Sequence, residues 1–374
     1  MRPEAVAAML PYLTDAFANP SGGHAAARAS KTALEEARET IAWGLGAAPG
    51  EIVFTGGGTE ADNLAIEGAA RATRARGGGL GVVTCAFEHK AVLAACDRLA
   101  SEGFHITRIP ATSGGLVDLD ALADAVDAET AVVSLMTVNN EVGTVQPLAE
   151  AGSIVREQAS GAVLHTDAVQ AVPWIDVASA TAPAALVAIS AHKFGGPKGT
   201  GALVVRDDIV LQPLLEGGGQ ERGLRAGTVN VAGAVAMAAA LRVTIEQRDD
   251  EIARITTLRD RLLDGLEGAI PGLAVNGDRA HKVAGSLHVR IPGVEADTLL
   301  VALDRAGVCA AAGSSCSSGA TEPSYVLAAM GMDRGDALSS IRLSLGFAST
   351  PADVDAALAV IPVVVRGVRA RSAP

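Results

Sequence analysis

Short apolar runs at Ile52–Thr55, Gly81–Cys85, Ala131–Met136, Ala162–His165, Ala185–Ser190 and Ala202–Val205 punctuate the first part of the chain. Between most of them lie stretches whose apolar residues recur at helical spacing: Glu60–Arg74, His89–Glu102, Leu119–Asp127 and Leu148–Gln158. Runs that are apolar throughout suit strands buried on both faces, and a helix between strands is the crossover that parallel pairing requires. The pattern predicts an α/β fold with a mainly parallel sheet covered by helices. Only a short glycine-rich turn separates Ala185–Ser190 from Ala202–Val205, which leaves no room for a crossover, so the last strand is expected to run antiparallel. From Val231 to Ala269 the pattern turns long and helical, with charge along one face of Thr244–Glu267, and reads as a bridge to a second unit. There Gly285–Ile291 and Ser340–Leu345 read as strands, and Ala296–Ala306, Ser324–Met330 and Pro351–Val365 as helices. No internal repeat is visible, and Ala370–Pro374 reads as a frayed tail.

A length of 374 residues favours two domains. The expected division is a large domain over 13–243 and a smaller C-terminal α/β domain over 244–374, joined by 1–12. Although 49% of the residues are apolar, no run approaches the roughly 18–20 unbroken apolar residues that cross a bilayer. Met1 opens no basic segment followed by an apolar one, as an export signal would. The expectation is therefore a cytoplasmic chain with no membrane partner. A net charge of −12 disfavours a nucleic-acid surface. The cysteines at 85, 96, 309 and 316 form neither a CxxC pair nor a metal-ligand spacing, so a reducing compartment is expected and a metal site is not.

Two of the apolar strands end in residues that carry chemistry. Ala185–Ser190 runs into Ala191-His192-Lys193-Phe194-Gly195-Gly196-Pro197-Lys198, placing a lysine just past a buried strand and before a glycine turn. Lysine occurs only at 31, 90, 193, 198 and 282, so this one is not part of a solubilising excess. Ala162–Leu164 leads into His165-Thr166-Asp167-Ala168-Val169-Gln170, which offers a carboxylate. A lysine that can form a Schiff base and an acid that keeps a pyridine nitrogen protonated are what an electron-sink cofactor such as pyridoxal 5′-phosphate needs. Lys193 is favoured over Lys198 because it lies nearer the strand end. Phe54-Thr55-Gly56-Gly57-Gly58-Thr59 leads from a strand into a helix, and its open N–H groups suit a phosphate, although such a turn is also ordinary structure. Ser190 and His192 can donate to phosphate oxygens. Asp167 doubles as a possible helix cap. Gln170, one helical turn on, can face the same ring, and His89 can stack on it and move a proton, or simply cap a helix.

Taken in order, Phe54–Ile66, Glu88-His89, Asn139-Asn140-Glu141-Val142-Gly143-Thr144, His165–Gln170, His192-Lys193 and Gly218–Thr228 closely resemble the cysteine desulfurases, fold-type-I pyridoxal-phosphate enzymes of the class V aminotransferase superfamily. The resemblance spans nearly the whole chain and implies a large domain built on a mainly parallel seven-stranded sheet. It implies Lys193 as the Schiff-base lysine, Asp167 on the ring nitrogen, His89 stacked on the ring and Gln170 on the ring hydroxyl. Gly58, Thr59, Ser190 and His192 would hold the phosphate, with Thr228 reaching it from the other subunit of a homodimer. Asn140 and Arg342 would receive the carboxylate of L-cysteine, and Asn140 would also border the cofactor.

Desulfuration needs a sulfur acceptor. Cys316, in Gly313-Ser314-Ser315-Cys316-Ser317-Ser318-Gly319, has small polar neighbours suited to an accessible thiol, whereas Cys85 and Cys96 sit in apolar patterns and Cys309 reads as structural. The resemblance implies that Cys316 carries the persulfide and passes it to an acceptor protein for iron–sulfur cluster assembly or thiolation. Two alternatives stand beside this reading. One is another pyridoxal-phosphate C–S or C–Se lyase, such as a selenocysteine lyase, which needs no persulfide cysteine. The other, a truncated non-catalytic sulfur-carrier scaffold, is suggested by the opening at Met1-Arg2-Pro3-Glu4, where desulfurases of this type usually place a strand and an Ala-Thr-Thr-Pro turn first. On that basis the substrate pocket is expected to lack one wall.

Overall fold

The structure, a computed structural model, describes residues 1–313 and 322–372. The chain divides into two compact units, one of Met1–Ile109, Leu119–Val138 and Pro147–Arg248, the other of Pro110–Asp118, Asn139–Gln146 and Asp249–Pro374. The division falls after Arg248 rather than at 243, and two short segments of the N-terminal part belong to the second unit. Residues 1–12, expected with the smaller domain, pack in the first unit. Helix Pro3–Leu13 lies against helix Val231–Glu246, and Arg2 N donates to Gly195 O at 2.8 Å.

The first unit is built on a seven-stranded sheet. Its strands are β1 (Ile52–Thr55), β2 (Gly81–Cys85), β3 (His105–Ile109), β4 (Thr130–Ser134), β5 (Val163–Asp167), β6 (Leu186–Ser190) and β7 (Gly201–Val205). They lie in the order β1-β7-β6-β5-β4-β2-β3. The pairs β2/β3, β2/β4, β4/β5 and β5/β6 are parallel. β7 runs antiparallel to both β6 and β1, as its glycine turn required. β1 therefore points the same way as β6, and the C-terminal ends of β1, β2, β4, β5 and β6 share one edge, the edge where ligands bind in such sheets. Helix Gly58–Ala75 covers the sheet with Leu64, Ala65, Ile66 and Ala69, all buried in the core cluster with Val53, Val132, Leu186 and Leu203. Each large aliphatic side chain buried in this way contributes about 1.5–3 kcal/mol.

The long helical stretch Val231–Ala269 consists of two helices, Val231–Glu246 and Arg248–Ala269, which part at Gln247. The first is alanine-rich and buried. The second opens on Asp249, Asp250 and Glu251, acids that favour a helix N-terminus. The second unit holds a three-stranded antiparallel sheet in the order β10-β9-β8, with β8 (Ala274–Val275), β9 (Ser286–Arg290) and β10 (Ser340–Ser344). Helix Pro351–Ser372 carries on through the residues read as the start of a frayed tail. Among the described residues no helix is long and apolar enough to cross a membrane.

Candidate active site

The turn after β1 forms a cradle. Gly57 has φ 146° and ψ −179°, a conformation that is essentially glycine's own. A Cβ on Gly58 would lie 2.7 Å from Val169 Cγ2 and 3.4 Å from Ser190 Cβ, so this first helical residue is pressed against the ends of β5 and β6. Glu60 Oε2 accepts from Gly56 N at 2.8 Å, and Arg225 Nε donates to Glu60 Oε1 at 2.8 Å. Helix Gly58–Ala75 thus starts beside Ser190, with Thr59 exposed at its N-terminus, an arrangement suited to an anion. Gly58→Ala is expected to cost about 1–3 kcal/mol by overpacking. It should lower the denaturation midpoint and weaken retention of a phosphate-bearing ligand in equilibrium dialysis.

Past β6 the chain makes a 3-10 turn, Ala191–Lys193, which brings Lys193 to the sheet edge in an exposed position. Buried Phe194 and Gly195 anchor the turn: Thr244 Oγ1 donates to Phe194 O at 3.1 Å, and Gly195 has φ +90° against the Arg2 side chain. Ser190 Oγ and His192 Nδ1 are 2.8 Å apart. Lys198 is exposed between Pro197 and Gly199 on the way to β7.

β5 ends at Asp167, three residues beyond the apolar run Ala162–Leu164 and still within the strand. Asp167 Oδ1 accepts from Val169 N at 2.9 Å, and its backbone O accepts from Thr137 N at 2.9 Å. His89 caps helix Lys90–Ser101, its Nδ1 accepting from Ala91 N at 3.2 Å. The capping reading holds for His89; no helix starts at Asp167, whose hydrogen bond from Val169 N closes a local turn, since the next helix begins at Val177. Gln170 is half-buried in the turn that follows β5. Asp62, His89 and Asp167 each offer a polar atom within 4.8 Å of the others.

Behind Asp167 lies a cluster that sequence reasoning missed. Glu88 is fully buried and its Oε1 accepts from Met136 N at 2.6 Å. His165 Nδ1 lies 2.8 Å from Ser134 Oγ, and its Nε2 lies 3.5 Å from Asp62 Oδ1. Burial, and then the nearby Asp62, push Asp167 up to about 7. Burial alone pushes Asp62 up to about 8. Glu88 is driven well above the carboxylate range by burial, with Asp167 and Asp62 adding to it. Burial lowers His165 to about 4, leaving it neutral.

The segment Gly218–Thr228 is held from below. Glu221 and Arg222 have positive φ, 47° and 57°, a costly conformation for residues with a Cβ. Arg38 grips Glu221 with two hydrogen bonds of 3.0 and 2.8 Å, and Glu221 Oε2 also accepts from Phe54 N at 2.8 Å. Both side chains are buried, so Glu221→Ala strands the Arg38 guanidinium and is expected to cost roughly 3–5 kcal/mol. Urea unfolding measures this, and an added Arg38→Met change should recover part of the loss. Thr228 is exposed just beyond the segment.

In the second unit the structure brings Arg342 and Asn140 together. Arg342, on β10, donates from Nη1 to Asn140 O at 2.7 Å. Its Nε and the Oδ1 of Asn140 are buried polar atoms without hydrogen-bond partners, a donor and an acceptor left over for a ligand. Burial lowers the Arg342 pKa, which Glu141 partly offsets. Ala311 bridges to Arg342, and Ser324 Oγ donates to Glu141 Oε2. Cys316 lies outside the described residues. Among the other cysteines Cys85 and Cys96 are buried and Cys309 is exposed, all as free thiols.

Residues 1–357 match the family model for aminotransferase class-V. An "IscS-like cysteine desulfurase" of Mycobacterium tuberculosis is 43% identical over 97% of this chain and 93% of its own length. A solved "NifS-like protein" superposes with a TM-score of 0.92 at 33% identity, covering 98% of this chain and 96% of its own. The structure described as SspA in complex with cysteine superposes with a TM-score of 0.81 at 32% identity, covering 92% of this chain and 95% of its own. By sequence along nearly its full length and by fold, the chain belongs to the aminotransferase class-V family, in its cysteine desulfurase branch.

Proposed function

We propose that this protein is a cysteine desulfurase that uses pyridoxal 5′-phosphate to convert L-cysteine to L-alanine, leaving the sulfur as a persulfide on Cys316. The observation that carries this reading is the meeting, at one sheet edge, of a glycine cradle, a buried carboxylate and an anchored lysine. The residues present fit the cofactor. The cradle at Gly57–Thr59 beside Ser190 and His192 suits its phosphate, and Asp167, raised by burial, favours a protonated nitrogen as a partner. When bound, the cofactor supplies an aldehyde that condenses with amines and a ring that takes up the electron pair released at the substrate's α-carbon.

Lys193 would hold the cofactor covalently, and would then serve as the base that takes the α-proton and as the acid that returns protons to the product. Asp167 would keep the ring nitrogen protonated, His89 would lie against the ring and Gln170 would bond its hydroxyl. Arg342 pairs with the substrate carboxylate, and Asn140 supports that contact. The Cys316 thiolate attacks the substrate sulfur. An S–S bond forms, the Cβ–S bond breaks with its electron pair going to the organic fragment, and protonation of that fragment gives alanine. Thr228 would complete the phosphate site of a second copy in a homodimer. An acceptor protein of an iron–sulfur or thiolation route would remove the sulfur, and a cytoplasmic setting suits the free thiols. The deciding experiment incubates purified protein with pyridoxal phosphate, L-cysteine and a reductant. Alanine and sulfide should form one for one, and protein that takes up the cofactor yet makes neither would sink the assignment.

A further inference from the structure

Asp62 stands one turn past the glycine cradle, on helix Gly58–Ala75, with 1% of its surface exposed. The groups that act on it and its neighbours are Asp167 and His165 from β5, Glu88 from the turn after β2 and His89 from the cap of helix Lys90–Ser101. None of these is an ammonium or a guanidinium. The acids differ in what supports a negative charge. Asp167 accepts from Val169 N and Glu88 from Met136 N. Asp62 Oδ1, by contrast, is buried with no hydrogen-bond partner, and so is the Nε2 of His165 that lies 3.5 Å away. With no donor in hydrogen-bond geometry on Oδ1 and only the His165 imidazole, neutral through burial, beside it, Asp62 is poorly supported as an ion. A neutral carboxylic acid at the same place has a proton to give.

We propose that Asp62 is a positioning residue of this site, a neutral carboxylic acid that gives its proton as a hydrogen bond within the Asp62–His165–Asp167 cluster and so leaves the cluster's negative charge on Asp167. The inference rests on the reading that Asp167 serves the cofactor's ring nitrogen. Its meaning for the reaction is that Asp167 faces the ring as a lone carboxylate, undiluted by a second charge behind it. The raised position of Asp62, at about 8, accords with this geometry.

Two measurements test it. In cofactor-free protein, infrared titration follows the carboxylic C=O absorption. Wild type should lose a band as pH passes through about 8, and Asp62→Asn should lack that band at pH 7. Equal absorption in the two proteins at pH 7 would overturn the proposal, since Asp62 would then be ionised beside a His165 imidazolium. The same proton has a stability signature. The native state keeps it where the unfolded chain, with an Asp pKa of roughly 3.9, has released it. Wild-type stability should therefore fall as pH rises from about 4 to about 8, and Asp62→Asn should lack this component.

In the presence of pyridoxal phosphate, Asn should serve as a neutral donor. Asp62→Asn should keep wild-type cofactor affinity at pH 7, whereas Asp62→Leu should lose roughly tenfold or more. Asn weakening the affinity as much as Leu counts against the proposal. Wild-type protein that takes up no cofactor would fail the functional reading instead, and the infrared titration would still decide the state of Asp62.

Discussion

Lys193→Ala is expected to abolish turnover, with alanine formation from L-cysteine falling at least about 10⁴-fold, the upper range for loss of a positioned acid–base group. On the proposed mechanism the loss is that large because one nitrogen would have two tasks, covalent attachment of the cofactor and transfer of the α-proton. The 3-10 turn Ala191–Lys193 holds it at the end of β6, clamped by buried Phe194 and by the Arg2–Gly195 hydrogen bond. Folding should be nearly unaffected, within about 0.5 kcal/mol, because the side chain is exposed. Borohydride treatment of cofactor-loaded wild type should fix the label on Lys193, and the variant should take no label. Lys198→Ala is the control. Lys198 stands exposed beyond the anchored turn, and its loss should leave turnover within a few-fold. Label on Lys198 in wild type, or turnover that survives without Lys193, would remove the foundation of the mechanism.

What could be read from sequence here follows from which residues carry a contrast. β1, β2, β4, β6 and β7 are buried at nearly every position and write mostly apolar runs, whereas β5, equally buried, turns polar at His165, Thr166 and Asp167. β3 sits at the sheet edge with only Ile109 buried, and its His-Ile-Thr-Arg-Ile shows no such run. Helix Ala25–Leu45 was missed for a related reason. Its buried face includes Ala27, Ser30, Ala33, Ala37 and Arg38, small or polar side chains that blur the helical period. Lys193 and Asp167 were legible because each is a polar group that ends an apolar strand.

Asp62 and Glu221 gave no such signal. An acid on the inner face of a helix looks the same in sequence as one facing water, and the Arg38 that explains Glu221 lies 183 positions away. Asp62 lies just past the glycine turn, yet only the packing of helix Gly58–Ala75 shows that it is buried. The local chemistry of the strand ends was therefore readable, and the long-range pairing of buried charges was not. That difference matters for design of variants, because the residues invisible in sequence are the ones that set the charge of Asp167 and the position of the 218–228 segment.

Cys316→Ala should separate cofactor chemistry from sulfur transfer. The variant should bind pyridoxal phosphate with an unchanged absorbance spectrum and still bind L-cysteine, because Lys193, Asp167 and Arg342 are intact. Persulfide formation should fall by roughly 10⁴-fold or more, as for removal of other protein nucleophiles. The described cysteines limit what can substitute. Burial, reinforced by Glu88, drives Cys85 well above its ordinary value and Cys96 up to about 12, so both remain thiols at neutral pH and neither can act as a thiolate. Cys309 is exposed and is the one competitor among the described residues, so Cys309→Ala serves as the paired control and should retain activity. Mass spectrometry after a single turnover should find one added sulfur atom on the peptide that contains Cys316. The same sulfur on Cys309, or alanine produced at the normal rate by Cys316→Ala in the absence of added thiol, would move the nucleophile elsewhere and reopen the lyase alternatives.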